Sequence, residues 1–305
     1  MAGFVLAIDQ GTTGSTVALM DDRGTVRAAV NNEFPQIYPR PGWVEHNPAD
    51  IWASVEKGIA GILRKRICKA SDIAAIGITN QRETSLLWDR QSGDALNNAI
   101  VWQCRRTTDF CERLKAAGHE KVVKRKTGLV LDPYFSASKY RWLLKNTTGA
   151  ARLHKAGRIA AGTIDSFLVW RLTGGDSHIT DVSNASRTSL MNLKTGRWDK
   201  ELLDLFEVPA DILPTIVASS GTLGRTRGVK GLPDGIPVAG IAGDQQAALF
   251  GQACFGVGDA KCTFGTGSFI LMNTGSSLLQ SRSGLLTTVA WQLPGQAKPV
   301  YALEG

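Results

Sequence analysis

The sequence has no cysteine spacing suited to a metal centre. Its five cysteines, Cys68, Cys104, Cys111, Cys254 and Cys262, are odd in number and scattered. That pattern points to free thiols in a reducing compartment. No apolar run is long enough to span a bilayer, and no signal peptide opens the chain, so a soluble cytoplasmic protein is expected. There is no Gly-Lys-Ser/Thr at the Walker spacing, which excludes a P-loop. Aromatics do not interleave with the two basic clusters, Arg64-Lys65-Arg66 and Lys124-Arg125-Lys126, so these read as solvated faces rather than a nucleic-acid groove. Neither nucleic acid nor membrane is expected as a partner. What the chain does have is a net charge of +8, a weak fit to a small polyanionic ligand, and 33 glycines for tight strand–turn junctions.

The glycines matter first at the opening, Phe4-Val5-Leu6-Ala7-Ile8-Asp9-Gln10-Gly11-Thr12-Thr13-Gly14-Ser15-Thr16-Val17-Ala18-Leu19-Met20. An apolar run ends in an acid, a glycine- and hydroxyl-rich corner follows, and a second apolar run leaves it. This predicts a β-hairpin whose turn leaves backbone N–H groups free for an anion. It is not a dinucleotide fingerprint, because Thr16 to Leu19 continue as strand rather than opening a helix. Taken alone, the stretch is equally readable as an ordinary Gly/Thr hairpin.

Thr25 to Asn31 should add a third antiparallel strand. Asn47-Pro48-Ala49-Asp50 predicts a helix start, and Ile51, Val55, Ile59 and Ile62 share one face of that helix, widened by Trp52 and Leu63. Short strands are expected at Ile73–Ile78 and Thr84–Trp88, with polar Thr79 to Glu83 between them. Helices follow at Asp109–Ala117, Ser136–Lys145, Ile164–Leu172 and Trp198–Phe206. Thr180 to Leu190, dense in Ser, Thr and Asn, is expected to wrap the outside of a site. A strand at Ile236–Ile241 should empty into Ala242-Gly243-Asp244-Gln245-Gln246, which caps a helix running to about Gln252. No long linker interrupts residues 1–250, so they are expected to form one α/β unit.

Lys261-Cys262-Thr263-Phe264-Gly265-Thr266-Gly267-Ser268-Phe269-Ile270-Leu271-Met272 repeats the opening design. Two such hairpins suggest a duplicated domain with a phosphate between the halves. Chance likeness of two Gly/Thr turns is the alternative. Only 39 residues follow Thr266, too few to bury a second core. The expectation is a fragment, a truncated product or one part of a split polypeptide.

Together, Asp9-Gln10-Gly11-Thr12-Thr13, Asn80-Gln81-Arg82-Glu83-Thr84, Trp102-Gln103-Cys104-Arg105-Arg106-Thr107, Gly243-Asp244-Gln245-Gln246-Ala247 and Phe264-Gly265-Thr266-Gly267 resemble the FGGY family of carbohydrate kinases. They are most similar to its glycerol-phosphorylating branch, and the likeness covers essentially the whole chain. It implies an α/β, ribonuclease H-like (actin-like ATPase) domain over residues 1–250, with a mixed sheet flanked by helices. Residues 251–305 would begin a second, duplicated domain, with the active site in the cleft between.

The resemblance also implies ATP/ADP and Mg²⁺ as cofactors, glycerol as substrate, and a homodimer or homotetramer for the full-length enzyme. A selective triol pocket needs rigid donors and acceptors. Arg82 offers a fork, Glu83 an acceptor and Tyr134 a phenol. The resemblance places these three on glycerol with Asp244 and Gln245, and sets Trp102 and Phe269 against the carbon backbone. For Trp102 alone, core packing is nearly as good a reading. Asp244, at a strand end and a helix start, is the expected general base. Asp9 is expected to orient water around Mg²⁺, with Asp244 also on the metal side. Thr12, Thr13, Gly14 and Thr16 should line the phosphates, with Thr266 and Gly267 closing from the other side.

Three departures from the family pattern stand out. Thr16 occupies a place where such kinases commonly carry arginine. Cys262-Thr263 replaces the frequent Asn-Thr. The adenine pocket belongs to later parts of the second domain, so this chain alone is expected to be inactive or nearly so. Another FGGY kinase acting on a pentulose or sugar acid remains an alternative. So does a non-catalytic actin-like nucleotide-binding module.

Overall fold

The structure is a computed structural model that describes residues 3–264 and 268–305. Its opening strands are β1 (Phe4–Gln10), β2 (Gly14–Met20) and β3 (Val26–Glu33), joined as an antiparallel meander. Helix α1 (Pro48–Arg64) follows. Its Asn47 cap accepts from the Ala49 N–H, and Pro48 stands in the first turn. Strand β4 (Ile73–Asn80) then pairs with β1 in parallel.

The α1 side of this sheet carries the first core. Leu6, Ile8, Val17 and Leu19 alternate onto it and meet Ile51, Val55, Ile59 and Ile62. Each such side chain contributes roughly 1.5–3 kcal/mol on burial. Gly58 lets the helix come close, since a Cβ there would stand 2.4 Å from Val17 Cγ2.

Strand β5 (Ser85–Asp89), helix α2 (Ser136–Asn146), strand β6 (Ile159–Thr163) and helix α3 (Ile164–Leu172) come next. The two expected strands around Thr79–Glu83 therefore form, but they separate. β4 stays in the first sheet, whereas β5 joins a four-stranded antiparallel sheet with β6 and the short pairs Glu45–His46 and Ala99–Ile100. Residues 81–84 cross between the two.

Strands β7 (Ser220–Arg225) and β8 (Pro237–Gly243) complete the first sheet in the order β7-β8-β4-β1-β2-β3. It is mixed: β8, β4 and β1 run parallel, with antiparallel strands on both flanks. Helix α4 (Asp244–Gly251) begins where β8 ends. The rest is a second four-stranded sheet made of β9 (Ala260–Phe264), β10 (Ser268–Gly275), β11 (Leu286–Trp291) and β12 (Val300–Glu304), in the order β9-β10-β12-β11. Its β9–β10 pair is antiparallel, like β1–β2.

One sequence expectation is overturned. Residues 180–190 do not wrap the outside of a site, because all are buried. Their hydroxyls and amides are consumed inside: Asp181 accepts from the Ser183 and Asn184 N–H groups, and Asn184 and Asn80 exchange amide bonds of 3.0 and 3.1 Å. Ser183 Oγ accepts from the Gly243 N–H, and Ser186 Oγ bonds Thr288 Oγ1. The segment is a polar crosspiece joining the first sheet to β11. Small polar residues fit there because each finds a partner, as burial requires.

All five cysteines are free. Among the described residues no helix is long and apolar enough to cross a membrane.

Candidate active site

The first sheet ends in a row of side chains on the face opposite α1. Asp9 stands across from Thr16 on β2 and from Thr79 on β4, and Thr79 in turn from Ala242 on β8. Asp244 follows two residues later, as the first residue of α4. Below this row lies a largely apolar cavity of about 520 Å³, lined by Val5, Ala7, Met20, Phe250 and Trp291 among others.

The hairpin turn is held from behind. Gln81 Nε2 donates to Gln10 Oε1 (3.1 Å) and to the Gly11 carbonyl (3.2 Å). His46 bonds Gln36 at 2.7 Å and Gln81 at 3.3 Å. Burial pulls the His46 imidazole down to about 4, so it is neutral at pH 7. Gln36 Nε2 donates to the Thr12 carbonyl at 3.0 Å, and Trp102 Nε1 to the Thr12 hydroxyl at 3.0 Å. Among the described residues, none accepts from the backbone N–H of Thr12 or Thr13. The turn thus leaves both N–H groups without a protein acceptor among the described residues, the condition that an anion site requires.

Two residues of the predicted phosphate wall also meet β3. A Cβ on Gly14 would lie 2.9 Å from the Asn32 carbonyl oxygen, so β3 dictates the glycine. The Thr16 hydroxyl accepts from Asn31 Nδ2 at 2.9 Å, which ties it to β3 although it faces the cleft beside Asp9. Thr266 and Gly267 lie outside the described residues.

Arg82 and Glu83 sit at the crossing between sheets, at an element end as expected. They are sealed rather than open, at 3% and 2% exposure. Their own contact is long, 4.0 Å. Their close partners are residues that the sequence reading missed. Arg82 is bidentate on Glu304 of β12, at 2.7 and 2.9 Å, and Glu83 receives Arg187 Nε at 2.7 Å. Arg82 Nε also stands 3.2 Å from Asp244 Oδ1. The Asp244 side chain is 38% exposed. It therefore joins the sealed charges to the cleft.

The other predicted residues are held as follows. Tyr134 packs edge-on against Trp102, with ring centroids 5.6 Å apart, and burial raises its phenol. Its carbonyl accepts from Lys139 Nζ at 2.5 Å. Gln245 is bonded through Oε1 to Lys261 Nζ, which also reaches Thr263 Oγ1 at 2.8 Å. Phe269 is half-buried, paired with Thr263 across the β9–β10 hairpin. Trp102 is half-buried too, and its bond to Thr12 makes it a bridge between hairpin and pocket rather than core filler. Asp9 opens to the cleft. Its carboxyl is nevertheless held above the usual range, first by desolvation against the surrounding protein and then by the charge of Asp244.

A model of the FGGY family of carbohydrate kinases, N-terminal domain, matches residues 4–251. The chain belongs to the FGGY family of carbohydrate kinases. Among FGGY proteins it is similar to the glycerol kinase of Bdellovibrio bacteriovorus, with 58% identity over 305 residues, covering 100% of this chain and 61% of that protein. The glycerol kinase of Myxococcus xanthus is 55% identical over 304 residues, again covering 100% and 61%. The chain thus spans about 61% of the length of these curated relatives. Among solved structures, Plasmodium falciparum glycerol kinase with ADP superimposes at a TM-score of 0.93 with 36% identity, over 100% of this chain and 61% of that one. A Lactobacillus acidophilus gluconate kinase, at 24% identity and TM-score 0.88, shares the fold. The mixed sheet flanked by helices, followed by part of a second unit, is the architecture that the motifs implied.

Proposed function

We propose that this chain carries the acceptor site and the first phosphate hairpin of a glycerol kinase. That enzyme moves the γ-phosphoryl group of ATP to a primary hydroxyl of glycerol, giving sn-glycerol 3-phosphate and ADP. The observation that carries this reading is that Asp244, 38% exposed, is held by Arg82 and by its neighbour Gln245, with Glu83 beside Arg82 and the Trp102–Tyr134 pair offered as aromatic faces. Such a set offers a small polyol both donors and acceptors, with aromatic faces for its carbons.

In this reading Asp244 accepts the proton as the hydroxyl oxygen attacks phosphorus, and ADP leaves in line with no covalent intermediate. The Thr12 and Thr13 N–H groups hold phosphate oxygens, with Thr266 and Gly267 proposed to close over them. Two carboxylates, Asp9 and Asp244, suit Mg²⁺, which keeps most of its waters and binds through one or two carboxylates plus phosphates. Asp9, lifted first by desolvation and then by the charge of Asp244, would be relieved by a cation there. Bound Mg²⁺ would supply neutralisation of phosphate charge. The reading divides the chain at 1–250 and 251–305, and places the enzyme in the cytoplasm as a homo-oligomer.

The test is a panel of glycerol, other polyols and ketoses. Binding is measured on the 305-residue chain, and phosphoryl transfer on a graft of this chain onto the C-terminal remainder of the Bdellovibrio enzyme. Glycerol should be preferred in both. Preference for a ketose would replace this assignment with another kinase of the family. Binding of nucleotide but no acceptor would favour a non-catalytic module.

A further inference from the structure

Glu83 has φ +61°, a left-handed conformation that is costly for a side chain of its size. It is fixed there by contacts on both sides. Its carbonyl accepts from Ser85 Oγ (2.9 Å) and Ser136 Oγ (3.1 Å), and its carboxylate receives Arg187 Nε (2.7 Å). Arg187, fully buried in the polar crosspiece, also donates from Nη2 to Glu304 Oε1 at 3.0 Å. Its Nη1 has no partner among the described residues. The same Glu304 carboxylate takes both Arg82 nitrogens. One acid on β12 therefore grips Arg82 directly and, through Arg187, Glu83.

We propose that Glu304 and Arg187 are positioning residues of the acceptor site, presenting Arg82 and Glu83 to the acceptor only while the β9–β12 sheet is seated against the first. This rests on the reading of Arg82 and Glu83 as acceptor residues. The second sheet contributes twice, because Lys261 on β9 holds the Gln245 amide in the same way. Electrostatics agree with a built clamp. Burial alone would raise Glu304, but Arg187 and Arg82 outweigh it and hold its carboxyl at about 2. With Glu304 neutral, two guanidiniums would face each other in a sealed space. Arg82 would then swing toward Asp244, already 3.2 Å from its Nε. Acceptor affinity is thereby coupled to the docking of two sheets, without Glu304 or Arg187 touching the acceptor.

The test titrates glycerol into the 305-residue chain and records the melting temperature of each variant. Glu304→Gln and Arg187→Lys should each weaken glycerol binding about tenfold or more, since small misplacements of binding groups are expensive. The double variant Arg187→Met/Glu304→Gln leaves Arg82 and Glu83 as a balanced pair. It should regain melting temperature relative to Glu304→Gln yet still bind glycerol weakly. Affinity that recovers together with stability, or wild-type affinity in either folded single variant, would overturn the proposal. If the unaltered chain prefers a ketose and Glu304→Gln loses that ligand, the glycerol reading fails and the clamp stands. If the unaltered chain binds no polyol or ketose, both fail.

Discussion

On the proposed reading, Gln81 and Arg82 are chain neighbours that serve opposite walls of one cleft by different means. Gln81 belongs to a network of neutral groups, with His46, Gln36 and Gln10, whose contacts end on the backbone carbonyls of Gly11 and Thr12. Arg82 belongs to a network of buried charges, with Glu304, Arg187 and Glu83, whose contacts are side chain to side chain. The hairpin must offer backbone N–H groups in a fixed geometry, and amides can brace a backbone without adding charge near a polyanion. The acceptor wall must hold long side chains in one rotamer each. Bidentate guanidinium–carboxylate pairs do that with directional strength.

The two networks should come apart under mutation. Gln81→Leu removes donors from Gln10 and Gly11 and the acceptor used by Thr84 Oγ1 (2.9 Å). Leaving such partners buried and unsatisfied costs about 2–3 kcal/mol, read by denaturant unfolding. Nucleotide affinity of the grafted enzyme should fall while glycerol affinity stays near that of the unaltered chain, the reverse of Glu304→Gln.

A smaller effect concerns pH. His46 is held neutral, with its imidazole down at about 4 against 6.5 when unfolded. The unfolded chain therefore takes up that proton first. Stability from this group is full above about pH 6.5, falls as the pH drops, and levels off below 4, a loss of about 3 kcal/mol at most. His46→Gln should flatten that part of the pH–stability curve, and an unchanged slope would show that His46 does not carry it.

The smallest effect is expected from Thr16→Arg. It gives up only an exposed bond to Asn31, so stability should change by no more than about 0.5 kcal/mol. The guanidinium beside Asp9 should lower that carboxyl, which NMR titration would read.

The contrast also explains what the sequence disclosed. The hairpin, its Asn47-capped helix and the strand into Asp244 are local patterns, carried by periodicity and turn chemistry, and they formed where expected. The grouping of Arg82, Glu83 and Asp244 at element ends follows from motif, and their role is the one proposed. Their partners were not legible, because Arg187 and Glu304 lie 104 and 222 residues away from the groups they meet. A signal for Arg187 is present: it is the single basic residue, with Asp181 the single acid, in a run of Ser, Thr and Asn. The composition alone predicts a segment around the outside of a site, because small polar residues bury only when partners exist, and partners are tertiary. Likewise the approach of β3 at Gly14 is tertiary: it requires glycine there whether or not the residue also lines a phosphate.

In the proposed reaction Asp244 links the sealed charges to the reacting hydroxyl. In the grafted enzyme, Asp244→Asn should abolish turnover in a single-turnover assay while glycerol binding stays within about tenfold of the unaltered protein. Turnover that persists at the unaltered rate would remove Asp244 as the base and contradict the account.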